Sequence, residues 1–144
     1  MVVLTRRTVL AGVAGATMPL PRPAEAAPRL AIRDLYVSGT ELSAEAEALA
    51  GQQVVMRGFM APPLKAAAPF FVLTRQPLAV CPFCSSAADW PGDIVLVRLR
   101  RRQDWVGFDR LIEVTGRLDL GVEIDLETGF VSLVRIIDAS FRPL

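Results

Sequence analysis

The sequence predicts a mainly β protein, and three observations support this fold class. From Gln52 onward, apolar and polar residues alternate in runs rich in Val, Ile and Phe, which is typical of strands with one buried face. Clusters of Pro, Gly and polar residues separate these runs. Only one short stretch, which ends at Gly51, carries helix signals. A chain of 144 residues suffices for one modest hydrophobic core, so a single domain is expected.

The segment before the strands predicts two small elements. Residues 30–37 have mixed periodicity, which indicates a short strand or an irregular packing segment. Ser43 can cap a helix over residues 44–50, because its hydroxyl can accept a hydrogen bond from an unpaired N–H of the first turn. Acidic residues in that turn favour the same helix, and Gly51 is typical of a helix end.

Five strands are predicted, and two of them contain an internal glycine. Gly58 in the first strand and Gly116 in the fourth indicate a bulge or a bend, of the kind that turns a barrel corner. The predicted strands are residues 53–60, 69–75, 93–99, 111–118 and 131–139, with residues 122–126 and 130–141 forming a hairpin around 127–129.

Five strands with kinking glycines and one short helix before them fit a five-stranded OB-like (oligonucleotide-binding-type) Greek-key barrel. A β-sandwich is the structural alternative. The helix precedes the strands here, whereas an OB fold usually carries it between the third and fourth strands. We expect residues 27–144 to form this one domain.

Residues 1–26 predict an export signal. Arg6 and Arg7 precede a mildly apolar run, and Ala24 and Ala26 form a small-x-small cleavage site. The paired arginines make this segment resemble a twin-arginine (Tat) signal peptide, with an ordinary Sec signal as the alternative. The expectation is export by the Tat machinery, cleavage after Ala26 and a periplasmic protein with no stable membrane anchor.

Composition excludes several classes of function. The 16 Lys and Arg residues nearly balance the 15 Asp and Glu residues, which argues against nucleic acid as a partner. The chain has no histidine, so a Ser-His-Asp hydrolase is excluded. A Gly-rich phosphate-binding loop is also lacking. A binding module is therefore favoured over an enzyme.

The candidate site is the stretch from Cys81 to Pro91, which holds both cysteines of the chain in a Cys-Pro-Phe-Cys motif. Two thiols at this spacing can bind one soft metal ion, close a disulfide or act as a redox pair. The export route bears on the choice, since a Tat substrate folds in the reducing cytoplasm, whereas a Sec substrate meets an oxidising compartment unfolded. All three uses stay open.

A metal site here would take Cys81 and Cys84 as thiolate ligands. Zinc needs about four ligands, so Asp89, Met60, water or a second chain would complete its set. Cuprous copper accepts fewer and softer ligands, and the two cysteines with Met60 or Met56 would suffice. The candidate cofactors are thus Zn and Cu. The alternatives are a thiol-disulfide redox protein and an interaction domain with a Cys81–Cys84 disulfide staple.

The basic stretch over residues 100–104 has two interpretations. With Arg98, the residues Arg100, Arg101 and Arg102 could contact an anion, but a solvated loop beside Asp104 and Asp109 is the interpretation that the sequence favours.

The pattern over residues 49–63, Leu-Ala-Gly-Gln-x-Val-x-x-Arg-Gly-Phe-Met-Ala-Pro-Pro, carries a resemblance together with the cysteine stretch and residues 114–118, Val-Thr-Gly-Arg-Leu. The chain resembles an uncharacterised family of small exported bacterial proteins, in which an OB-like barrel has a cysteine-containing loop after its second strand. The resemblance implies a periplasmic or transporter-associated protein partner and a link to metal homeostasis.

Overall fold

The computed structural model describes residues 26–63, 69–79 and 93–144. The elements in chain order are a 3-10 helix (Ile32–Asp34), β1 (Tyr36–Ser38), β2 (Glu41–Leu42), α1 (Ala44–Ala48), β3 (Gln53–Met60), β4 (Phe70–Thr74), β5 (Ile94–Leu99), β6 (Leu111–Ile124) and β7 (Val131–Pro143). The predicted mainly β class, with few helices and one sheet of five strands, is confirmed.

The sheet contains β3 to β7, and each strand pairs with two neighbours. The order is β3-β4-β5-β7-β6, and β3 also pairs with β6, so that the hydrogen bonding returns to its first strand. All pairs are antiparallel except β5 with β7, which run parallel with Leu96 opposite Arg135. β3 shows the alternation that predicted it, because Val54 and Met56 are buried while Gln53 and Arg57 are exposed.

The two strand glycines are sites of close backbone approach. A Cβ on Gly58 would lie 2.6 Å from the Thr74 carbonyl oxygen, and one on Gly116 would lie 2.5 Å from Cγ2 of Ile136. Gly116 also coincides with a register shift between β6 and β7, as predicted. At Gly58 the register with β6 is unbroken, so the predicted bulge does not occur against that neighbour. Gly58 instead lets β4 pass close to β3.

The predicted hairpin near the end of the chain is longer than expected. Residues 111–118 and 122–126 were predicted as separate strands, but β6 runs continuously from Leu111 to Ile124. β6 is irregular at Gly121, whose φ is 114°, and its register with β7 shifts between Leu120 and Glu123. The strand continues through this point. The turn that follows is closed by Asp125, whose side chain accepts hydrogen bonds from the backbone N–H and the hydroxyl of Thr128.

The segment before β3 packs against the sheet. Ser43 caps α1 as predicted, by accepting a hydrogen bond of 3.1 Å from the Ala46 N–H, although the helix ends at Ala48 and not at residue 50. The β1–β2 hairpin was not predicted in this form. Leu30 and Leu35 are buried and join the core cluster. Leu30 also donates its N–H to the Val55 carbonyl, which ties the segment to β3.

The main core lies inside the closed sheet and includes Met56, Leu73, Val95, Ile112 and Ile136. Within the part of the chain described here, no helix is sufficiently long and apolar to cross a membrane.

Candidate functional site

Most of the predicted site residues lie outside the described residues. These are Cys81, Cys84 and Asp89 of the candidate metal site, and Arg6, Arg7 and Ala24 of the export signal. The proposed uses of the cysteines therefore remain predictions. Across residues 26–63, 69–79 and 93–144, no group of three or more His, Cys, Asp or Glu side chains is placed to hold a metal ion.

The strands on either side of the cysteine stretch pair with each other by hydrogen bonds along β4. β4 precedes it and β5 follows it, and these strands pair in register from Phe70–Arg98 to Thr74–Ile94. Beyond the last pair, the Arg75 N–H donates to the Asp93 carbonyl at 3.2 Å. Thr74 is 2 % exposed, and its hydroxyl lies 2.7 Å from the Gln76 carbonyl oxygen and 3.2 Å from that of Phe59. The chain thus leaves and re-enters the sheet at a rigid base.

Met60, the predicted thioether ligand, is the last residue of β3 and pairs with Leu73. It is 2 % exposed and belongs to the core cluster. Its side chain also lines a cavity at one end of the barrel, so it lies among aromatic and apolar groups.

This cavity, called the end cavity below, has a volume of about 300 Å³. Its walls come from the end of β3, the start of β4, the end of β5, the connector over residues 100–105 and the end of β7. The lining residues are Met60, Pro69, Phe70, Phe71, Leu99, Arg100, Arg101, Arg102, Gln103, Trp105 and Phe141.

Three aromatic rings form one wall of the end cavity. Phe71 is almost fully buried, and its ring meets that of Phe141 nearly edge-on, with centroids 5.6 Å apart and an interplanar angle of 81°. Trp105 lies on the other side of Phe71 at 6.4 Å and 66°. Edge-to-face contacts of this kind are favourable and hold the rings in defined orientations. Trp105 is 44 % exposed, so part of its ring surface is available to a ligand.

The connector is fixed across β7 by hydrogen bonds. The Gln103 amide donates to the Phe141 carbonyl at 2.9 Å and accepts from the Phe141 N–H at 3.0 Å, as a neighbouring strand would. The Arg100 N–H donates to the Ala139 carbonyl at 2.9 Å. These bonds hold Trp105 and the arginines at the cavity.

Arg100, Arg101 and Arg102 give the rim of the end cavity its charge. All three residues are exposed, and none forms an ion pair with an acidic side chain among the described residues. A rim of this kind next to an aromatic wall suits an anion with an apolar body.

A second charged cluster lies on the outer side of the sheet, around Glu113. Its side chain is 9 % exposed and forms ion pairs with Arg57, Arg142 and, at 3.7 Å, Arg29. The hydrogen bonds from Arg57 and then Arg142 hold the pKa of Glu113 below its ordinary value. One carboxylate thus joins β3, β6 and β7.

This pKa predicts a pH-dependent effect of Glu113→Gln. Because the folded-state pKa lies below the ordinary value of 4.5, the carboxylate stabilises the fold above that value, and the stabilisation is lost as the pH falls through the folded-state pKa. The urea midpoint of Glu113→Gln should be well below that of the parent protein near neutral pH and should approach it in acid.

Urea titrations at both pH values measure this difference, and Glu41→Gln is the control, because Glu41 is exposed and has no ion pair in the described part of the chain. An equal penalty for Glu113→Gln at both pH values would contradict the prediction.

A third cluster surrounds Arg135 on β7, whose side chain is only 4 % exposed. The guanidinium contacts Asp119 at 2.7 Å and Glu123 at 3.5 Å. It also donates to the carbonyl of Gly121 and to the hydroxyl and carbonyl of Ser132. Arg135 thereby secures the irregular part of β6.

Few local patterns in the sequence point to the residues of the end cavity and of the Arg135 cluster. Trp105 directly after an arginine-rich connector was an available signal for the end cavity, but Gln103 and Phe141 contact each other across 38 residues and share no local pattern. Arg135 stands in an apolar run of β7, and a charged residue in such a run was the available signal for its buried cluster.

Comparison with known proteins supports the fold only. No protein-family model and no curated protein matches the chain. Among solved structures, the crystal structure of a DUF3299 family protein from Pseudomonas aeruginosa PAO1 is similar, with a TM-score of 0.50 and 14 % sequence identity over 83 % of this chain and 97 % of that one. The structural neighbour thus comes from an uncharacterised family of bacterial proteins, and at this identity it shows a shared fold.

Proposed function

We propose that the protein is an exported, periplasmic binding module built on an OB-type Greek-key barrel. With β3 to β7 counted as strands one to five, the order around the sheet is one-two-three-five-four, and strands three and five are parallel. A sheet of five strands that returns to its first strand supports the OB-type assignment. The connector with Trp105 and Val106 packs at the barrel end, where an OB fold usually has its helix.

The binding element in this proposal is the stretch from Cys81 to Pro91, between the second and third barrel strands. The observation that carries the proposal is the rigid base of this stretch, where Thr74 is buried and Arg75 bonds to Asp93. A rigid base reduces the conformational entropy that a binding loop loses when it engages a ligand.

The ligand that fits the loop chemistry is a soft metal ion, Zn or Cu, or a periplasmic or transporter-associated protein. Cys81 and Cys84 supply thiolates, and Asp89 is the candidate for a further ligand, since the buried side chain of Met60 lines the end cavity. Export by the Tat machinery, through Arg6 and Arg7, would let the folded protein take up its metal in the cytoplasm before cleavage after Ala26.

Metal analysis of the exported protein tests this proposal. Protein purified from the periplasm of cells grown with Zn and Cu should contain about one metal ion per chain, because paired thiolates bind these ions strongly. Cys81→Ser and Cys84→Ser should each lose the metal, whereas the matched control Ser85→Ala should retain it. Elemental analysis and thiol titration of the folded protein are the measurements.

The other outcomes identify the alternatives. A metal-free protein whose disulfide forms and opens reversibly at neutral pH would support a thiol-disulfide protein. A metal-free protein with a stable disulfide, whose Cys81→Ser variant keeps its partner, would leave a stapled interaction domain. Both results would refute metal binding.

A further inference from the structure

We propose that the end cavity binds a small organic acid, a carboxylate on an aromatic or aliphatic body. This inference is separate from the proposed function of the cysteine loop and rests on described residues alone.

The apolar half of the end cavity suits a compact, flat group. Phe71, Trp105 and Phe141 present ring surfaces, and Met60 adds a polarisable thioether beside them. A volume of about 300 Å³ is at the lower end of the range for small-molecule sites. It has room for one phenyl ring with a short chain.

The charged half supplies recognition of an anion. Three successive arginines, Arg100, Arg101 and Arg102, line the cavity and have no ion pair with an acidic side chain among the described residues. Guanidinium pairs with carboxylate through two parallel hydrogen bonds, and the interaction strengthens beside apolar walls that lower the local dielectric.

The connector is organised before any ligand binds. The Gln103 side-chain amide forms paired hydrogen bonds with the Phe141 backbone, and the Arg100 N–H bonds to the Ala139 carbonyl, so the connector is held against β7. Because the aromatic wall and the backbone are already held, a ligand has to order only the arginine side chains.

A macromolecular anion suits this site less well than a small acid. The chain as a whole has a formal net charge of only +1, and a nucleic acid would need a broad basic face. The unpaired positive charge at the end cavity is concentrated on three consecutive residues next to a concave aromatic wall.

The test compares 4-phenylbutyrate with its neutral isostere 4-phenylbutyramide. Binding is measured by calorimetry and by fluorescence of Trp105 in a Trp90→Phe background, since these are the two tryptophans of the chain. The carboxylate should change the Trp105 emission and bind at least about tenfold more tightly than the amide, because charge-assisted hydrogen bonds would be lost with the amide.

Variants of the rim arginines test whether these residues bind the carboxylate. Arg101→Gln/Arg102→Gln should weaken phenylbutyrate binding by about tenfold or more and leave amide binding unchanged. Arg110→Gln is the matched control, because Arg110 is an exposed arginine of the same inter-strand region that does not line the end cavity. Thermal unfolding shows whether each variant is folded, and the exposed arginines should be replaceable without loss of the fold.

Three results would overturn the proposal. They are equal binding of the carboxylate and the amide, phenylbutyrate binding by the double variant that equals that of Arg110→Gln, and no binding of either compound at millimolar concentration. If a single-stranded oligonucleotide bound more tightly than phenylbutyrate and lost that binding in the same double variant, the end cavity would be a nucleic-acid site and the proposal would be wrong. Since Cys81→Ser should leave phenylbutyrate binding unchanged, these results are independent of the metal test.

Discussion

The double variant Asp119→Asn/Glu123→Gln is expected to destabilise the fold by about 3 kcal/mol, mainly because it leaves the buried Arg135 guanidinium without an anionic partner. The half-exposed ion pair between Arg98 and Glu123 is lost as well and contributes less. Arg135 is 4 % exposed, whereas Asp119 and Glu123 are 36 % and 38 % exposed. Removing the two carboxylates should therefore lower the free energy of unfolding more than removing Arg135 does. Without Arg135 the two carboxylates can still be hydrated, but without the carboxylates the cation stays buried.

Arg135→Met is the informative comparison, since methionine fills part of the same space and carries no charge. We expect it to cost less than the double acidic variant, measured as the free energy of unfolding from urea titration. Asp138→Asn is a control at an exposed ion pair, that with Arg117, and should change stability by less than about 1 kcal/mol. If Arg135→Met were the more damaging change, the asymmetry would be refuted.

Gly116→Ala is expected to destabilise the fold by about 2–3 kcal/mol through overpacking. The added Cβ would lie 2.5 Å from Cγ2 of Ile136, 2.9 Å from the Ile137 carbonyl oxygen and 3.0 Å from Cα of Ala139. Two of these three atoms belong to the backbone of β7, so relief requires that the strand itself move. β6 and β7 would have to separate where they pair.

Gly107→Ala is the matched control for this substitution. Its Cβ would meet only the end of the exposed Asp109 side chain, which can rotate away, so the change should stay within about 0.5 kcal/mol. Urea titration of both variants gives the comparison. A Gly116→Ala protein as stable as Gly107→Ala would show that β7 yields easily at this point.

Local patterns in the sequence predict the regular part of the fold well. The bounds predicted for β3 are those observed, and β4 and β5 differ by one residue at their ends, because alternation and the flanking Pro and Gly residues mark these strands directly. The Ser43 cap also follows from one residue and its neighbours. Interactions within a few residues of the chain carry these features.

The irregular parts of the fold depend on contacts that the sequence does not display. β6 continues through Gly121 because Arg135 from the neighbouring strand holds the distorted stretch, and no residue beside Gly121 indicates that. The sequence predicts a strand that ends at residue 118 and a new one that begins at residue 122, with Gly121 between them. Tertiary contacts overrode the local signal.

The two candidate sites also differ in whether a local pattern in the sequence predicts them. The Cys-Pro-Phe-Cys motif can be read from spacing alone, and it lies outside the described residues. The end cavity has no linear motif, because Met60, Phe71, Trp105 and Phe141 come from four separate segments. The arginines of its rim were visible in advance as a basic stretch with two interpretations, and Met60 was singled out for a different site.

The pairing of β3 with β6 also governs how the chain can fold. Arg57 and Glu113, which join these strands, stand 56 residues apart in sequence. A topology dominated by such distant partners has a high contact order, because a long loop must close before its contacts contribute. The edge of β3 that pairs with β6 has no partner until β6 has been synthesised. The closed sheet therefore cannot form strand by strand from its N-terminal end. We expect it to fold late, slowly and cooperatively.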